Sequence, residues 1–188
     1  WTRPLRWIGV RGMRSDPVRA GARCERGHLP ERPEAHAART ECQTLLMTNA
    51  KDTVREFLLQ VRSGLHPDRA GRFMAGRVRA HQIVSEAPAV VERTPQQYAE
   101  HVQEMLDAYG AFTLTVDELI AEGDRVYARW TQVGRHVGSV DHYQPTGAQL
   151  IAMTSAVYRV EDGLIVEYWI QIDRQGITSQ LEQAASAR

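Results

Sequence analysis

Residues 162–176 read DGLIVEYWIQIDRQG. At its centre, from Val166 to Asp173, the stretch alternates with the period of a β-strand. Val166, Tyr168, Ile170 and Ile172 fall on one side, and Glu167, Trp169, Gln171 and Asp173 on the other. An indole set between two carboxylates suggests a half-buried polar wall rather than an ordinary solvated sheet face. Four large apolar residues turned to water would form an unusual exposed patch. Either the apolar row is core, or it is a subunit interface and the polar row lines a hollow. The Asp162-Gly163 dipeptide before the run is a hairpin turn signal.

Upstream, three more β-favouring runs precede this one: AFTLTVDELIAEG (111–123), RVYARWTQVGRHVG (125–138) and QLIAMTSAVYRV (149–160). Gly123-Asp124, a polar loop at 138–148 and Glu161-Asp162-Gly163 separate them, which predicts an antiparallel meander. Before the strands, the periodicity is helical. Val54, Phe57, Leu58 and Val61 repeat at i, i+3, i+4 and i+7, and Ser63-Gly64 marks a stop. His66-Pro67 is a turn, with a short helical piece at 68–74 and a strand or extended segment at 77–86. Thr94-Pro95-Gln96-Gln97 is a capping box with proline at N1, opening a helix whose stripe is Tyr98, Val102, Met105, Leu106 and Tyr109. His101 lies off that stripe and is expected in solvent. A last short helix is expected at about 174–184. Helices first and strands later predict an α+β domain, a curved, mostly antiparallel sheet wrapped around its N-terminal helices.

The chain has 188 residues, room for one ordinary domain. A 43% hydrophobic content beside 24% charged residues suits a globular core. Zero net charge gives no general attraction to nucleic acid or anionic membrane, and no apolar run is long enough to span one. Residues 1–46 carry nine arginines against five acidic residues, with much proline and glycine and no periodicity. They are expected to lie outside the fold, as a disordered leader or as sequence upstream of a start at Met47, with the domain over 47–188. Cys24 and Cys42 suggest no disulfide framework, so a cytoplasmic protein is the default expectation.

The second long strand bears on function. Trp130, Gln132, Gly134 and His136 share one face, again an aromatic followed by hydrogen-bonding groups. Two strands patterned this way would converge on a pocket with apolar walls and a few polar groups. Trp169 and Trp130 would be its walls, or simply core. Gln171 and Gln132 would orient a ligand oxygen, or lie at the rim. His136 would donate to a substrate oxygen, or be a buried histidine bonded to backbone. Glu167 is expected to pair with Arg129 or Arg159. Asp173 beside Trp169 would have its charged form disfavoured, which raises its pKa toward that of a useful base, or it would cap the final helix.

The capped helix, the strand bearing WTQVGRH, the Pro145-Thr146-Gly147 turn and the string D-G-x-I-x-E-x-W-x-x-x-D in YRVEDGLIVEYWIQIDRQG together resemble the SnoaL-like polyketide cyclases of the nuclear transport factor 2 superfamily. The resemblance covers roughly residues 50–183 and implies a cone-shaped α+β barrel. It implies ring closure by intramolecular aldol condensation on a polyketide ester, run by a carboxylate without metal or cofactor. The matching carboxylate is Asp173, with His136 and His81 as pocket histidines; no asparagine matches the family pattern for stabilising the enolate.

Three functions follow: an acid/base cyclase or isomerase acting on an apolar carbonyl compound, a non-catalytic binder of a hydrophobic metabolite or interaction module, or epoxide hydrolysis. The last wants an Arg and an Asp together in the penultimate strand, which holds Arg159 and no Asp. No H-x-H or H-x-x-x-H pairing suggests a metal, and neither a phosphate loop nor a serine-nucleophile elbow is present. The apolar row of the last strand motivates a homodimer.

Overall fold

The computed structural model of the chain describes residues 50–85 and 87–187. The expectation for residues 1–46 lies outside them. Helix α1 covers 50–62 and closes on a π turn, Leu58–Arg62, followed by the 3-10 turn Pro67–Arg72. Then come β1 (Met74–Gln82), β2 (Ala89–Arg93), α2 (Pro95–Tyr109), β3 (Thr113–Glu122), β4 (Arg125–Arg135), β5 (Gln149–Glu161), β6 (Leu164–Ile172) and α3 (Arg174–Ser186).

The capping box at Thr94 forms as expected. The Thr94 hydroxyl accepts from the Gln97 N–H at 3.2 Å, and the Gln97 side chain accepts from the Thr94 N–H at 2.9 Å. One face of α2 is buried through Tyr98, Val102, Met105 and Ala108. His101, expected in solvent, is instead largely buried beside Tyr98. Burial and the nearby positive charges of Arg93 and Arg62 push its pKa down to about 3, so the ring is neutral.

The six strands form one curved sheet in the order β2-β1-β6-β5-β4-β3. Strands β3 to β6 make the meander read from the sequence, with positive φ at Gly123, Asp162 and Gly163 in the tight turns. The sheet does not close: β2 and β3 are its edges. The sheet is mostly antiparallel, as expected, and two further features add to what the sequence patterns showed. Strand β2 is short and largely exposed, with too little apolar pattern to be read from sequence. Strand β1 runs parallel to β6, so the sheet is mixed.

Strand β6 departs from simple alternation at one residue. Val160 pairs with Ile165 and Arg159 with Glu167, leaving Val166 as an extra residue in a bulge. The bulge puts Ile165 on the same side as Tyr168 and Ile170, against the helices. There α1 contributes Val54, Phe57, Leu58 and Val61, and the sheet contributes Val78, Ala80, Val126, Ala128, Trp130, Tyr158 and Ile165. The Phe57 ring meets Tyr98 at 5.1 Å and Tyr158 at 5.9 Å, an aromatic centre for the core. A smaller cluster of Leu150, Ile177 and Leu181 fastens α3 to β5. The row Tyr168, Ile170 and Ile172 is therefore core and cavity wall, and it no longer motivates a homodimer.

Candidate functional site: a cleft between the helices and the sheet

The two apolar clusters do not meet completely. Between them a cleft of about 460 Å³, counting its open mouth, is lined by Met105 and Tyr109 of α2 and by Phe112 beyond it. Strands β4 and β5 contribute Gln132, Gly134, Leu150, Ala152 and Thr154; Ile172 and Ile177 close the α3 side, and Arg62 enters from α1.

Gly134 shapes this wall. A Cβ there would stand 2.7 Å from the Tyr109 carbonyl oxygen and 3.2 Å from the Phe112 Cβ, so only glycine lets the end of α2 lie this close to β4. Val137 and Gly138 then donate their N–H groups to the Ala108 carbonyl, tying the loop to the helix end.

The polar groups of the cleft are few, and their disposition is specific. The Arg62 side chain is buried; it donates to the Met105 sulfur at 2.9 Å and lies over the Trp130 ring at 5.6 Å. Trp130 itself is fully buried and donates its indole N–H to Gln132 Oε1 at 3.3 Å. That bond fixes the amide orientation: Oε1 is engaged, and the Gln132 NH₂ remains as a donor in the cleft wall. Thr154 adds a hydroxyl. Burial and the carboxylate of Asp141 push the Tyr109 pKa up, partly opposed by Arg62, so Tyr109 stays a phenol. Among the described residues, the lining contains no carboxylate and no imidazole. Its donors can hold and polarise an acceptor oxygen.

The residues expected to form the site divide between the two faces of the sheet. Gln132 lines the cleft, and Trp130 lies in the core beneath Arg62 rather than in the wall. His136 is fully buried at the root of the 138–148 loop. Its Nδ1 accepts from the Thr146 N–H at 3.3 Å and lies 3.1 Å from Thr146 Oγ1, while Gly147 N–H donates to the His136 carbonyl at 2.8 Å. The Pro-Thr-Gly turn thus clasps this histidine, the structural alternative raised for it.

Asp173 is exposed and caps α3: its Oδ1 accepts from the Gly176 N–H at 2.9 Å. It is not part of the cleft wall, because it follows the inward Ile172 and turns out with Glu167, Trp169 and Gln171, beyond the bulge. Trp169 and Gln171 are on that outer side too, which corrects their assignment to the pocket.

The outer side holds a second polar assembly. Glu167 is buried there and accepts from His81 Nε2 at 2.7 Å and Arg159 Nε at 3.1 Å, with Arg79 at 3.3 Å. His81 stacks on Trp169 with ring centroids 4.8 Å apart, and the Arg125 guanidinium lies 4.8 Å from the indole centroid on the same ring. Burial alone would raise the Glu167 pKa. The hydrogen bonds from His81 and Arg159 and the charges of Arg79 and Arg159 outweigh it, and hold the carboxyl below the usual glutamate range. Of the two partners expected for Glu167, Arg159 is the one used; Arg129 faces Glu118 at 3.7 Å. His81 belongs to this assembly, not to the cleft. Among the described residues no three His, Cys, Asp or Glu side chains come together as a metal site, and no helix is long and apolar enough to cross a membrane.

The profile of the SnoaL-like polyketide cyclases matches residues 52–181, the greater part of the chain and nearly all of the described fold. The chain belongs to the SnoaL-like polyketide cyclase family. Solved structures agree with this fold. A candidate polyketide cyclase from Acidithiobacillus ferrooxidans superposes with a TM-score of 0.65 at 23% identity, over 72% of this chain and 96% of that one. IdmH, a candidate polyketide cyclase from Streptomyces antibioticus, gives 0.60 at 24% identity over 71% and 98%. An epoxide hydrolase of M. tuberculosis, similar to the limonene-epoxide type, gives 0.54 at 16% identity over 75% and 95%. Identities this low show the common cone-like fold and nothing finer. No curated protein matches the chain in sequence. Sequence reasoning missed Arg62, although its position four residues after Leu58 and eight after Val54 put it at the end of the apolar stripe of α1.

Proposed function

We propose that this family member binds a small, largely apolar carbonyl compound in the cleft between α2, α3 and the sheet. The observation that carries the reading is the composition of the wall: apolar side chains throughout, interrupted by groups that donate hydrogen bonds. Such a wall selects for an acceptor oxygen on an otherwise apolar body, because an apolar ligand without one would leave the donors desolvated and unmatched.

A cyclase or isomerase acting by aldol chemistry draws on the same donors, which would stabilise an enolate oxygen. It also needs a base within hydrogen-bond reach of the reacting carbon. Asp173, the carboxylate expected for that role, is exposed and engaged at the start of α3. Ligand binding without a carboxylate base in the wall is therefore the function we favour. Epoxide hydrolysis is disfavoured for the same reason, since Arg62 has no aspartate beside it among the cleft's described residues.

Calorimetric titration with 2-acetonaphthone and 2-nonanone tests the reading. We expect saturable binding of one ligand per chain, abolished by Ala152→Trp, which fills the cleft without removing a donor. No binding of either ketone, or binding indifferent to Ala152→Trp, would refute it.

A further inference from the structure

The buried charges of this molecule are treated unequally. Glu167 is surrounded by three basic partners, while Arg62, only 5% exposed, has no carboxylate paired with it among the described residues. Its neighbours temper the cost of burying a guanidinium without cancelling its charge. The Met105 sulfur is a weak acceptor, the Trp130 face offers a cation–π contact, and the last turn of α1 presents carbonyl oxygens to a basic residue. The titratable groups around it add no negative charge: His101 is neutral, and burial raises the pKa values of Tyr98, Tyr158, Tyr168 and Tyr109, keeping all four protonated. An unpaired cation in an apolar cleft is expensive unless a counter-charge arrives from outside.

We infer that the cleft takes an apolar carboxylate, whose anionic oxygens pair with Arg62 while Gln132 NH₂ and Thr154 donate alongside. This rests on the cleft being the ligand site and names the class of ligand. A planar guanidinium donates two parallel N–H bonds to a carboxylate, a geometry that a ketone with one oxygen cannot fill. The π turn Leu58–Arg62, at the end of α1, is where this side chain leaves the helix for the cleft.

The test compares each acid with its methyl ketone: 2-naphthoate against 2-acetonaphthone, and octanoate against 2-nonanone, with acetate as the acid lacking an apolar body. The wild-type chain is expected to bind each long carboxylate at least about ten-fold more tightly than its ketone, and acetate weakly. Arg62→Met, or Arg62→Gln should the first variant not fold, is expected to erase that preference while ketone binding persists. Arg125→Met, on the outer face, should leave it intact. Equal affinities for acid and ketone, or a preference that survives loss of Arg62, would overturn the carboxylate inference and leave the cleft reading standing. Acetate binding as tightly as 2-naphthoate would also overturn it, pointing to a bare anion site. Failure of acids and ketones alike would overturn both.

Discussion

The two faces of β6 make opposite use of polar groups. On the outer face Glu167, His81, Arg159 and Arg79 form a closed set in which each charge has an opposite partner, and Trp169 lies between His81 and Arg125. On the inner face a single guanidinium, held only by the weak Met105 sulfur acceptor, and an amide fixed by its neighbour's indole point into a cleft whose described lining supplies no carboxylate. A polar cluster that satisfies itself holds the sheet together. One that keeps donor capacity in reserve is what the proposed ligand would engage.

The contrast can be broken most forcefully at Glu167. Replacing it with alanine leaves Arg159 to Glu161 alone and takes the carboxylate from Arg79 and His81, and should destabilise the fold by about 3 kcal/mol in urea unfolding. The sign of the pH dependence follows from the lowered pKa. The stabilisation by Glu167 is fully present above about pH 4.3 and is lost as pH falls through the depressed folded value. The alanine variant should lose that acid-side slope; a variant with unchanged stability and slope would show the outer cluster to be ornamental.

Gly134→Ala comes next. It forces a methyl against the Tyr109 carbonyl and should cost about 2 kcal/mol while displacing the cleft wall, read as lost stability and weakened ketone binding together. Asp173→Ala should cost about 1 kcal/mol, the usual loss for an N-cap, whereas Asp173→Asn, which also caps, should be nearly neutral for stability and for ligand affinity. A large loss of ligand affinity in Asp173→Asn would return that carboxylate to the site. Smallest in stability, Arg62→Met should leave the unfolding free energy unchanged or raise it by about 1 kcal/mol, because it removes a buried charge that no carboxylate among the described residues pairs. A marked destabilisation would instead make Arg62 a structural prop.

Much of the architecture was legible in the sequence, because its signals are local. The Thr94 capping box, the apolar stripes of α1 and α2, and the Asp162-Gly163 turn each declare themselves over a few residues. The site was harder to read. Strict alternation along β6 pairs Val166 with Tyr168, but the bulge at Val166 puts Ile165 there instead, and period-two counting cannot see an extra residue. Gln132 lines the cleft, on the same side as Trp130, because β4 has no such interruption. His81 and Trp169 do come together, yet on the far side of the sheet, since the parallel pairing of β1 with β6 is a long-range event with no local signature. Arg62 carried a signal, a charge at the end of an apolar helical stripe, that is easily taken for a helix terminus reaching solvent.

The most direct test of the two-face account is a crystal structure with 2-naphthoate bound. The naphthyl ring is expected between Met105, Leu150 and Ile172, with the carboxylate on Arg62 and Gln132. A ligand seated against Trp169 and Arg125 on the outer face, or lying in the cleft with its carboxylate turned to the open mouth, would contradict it.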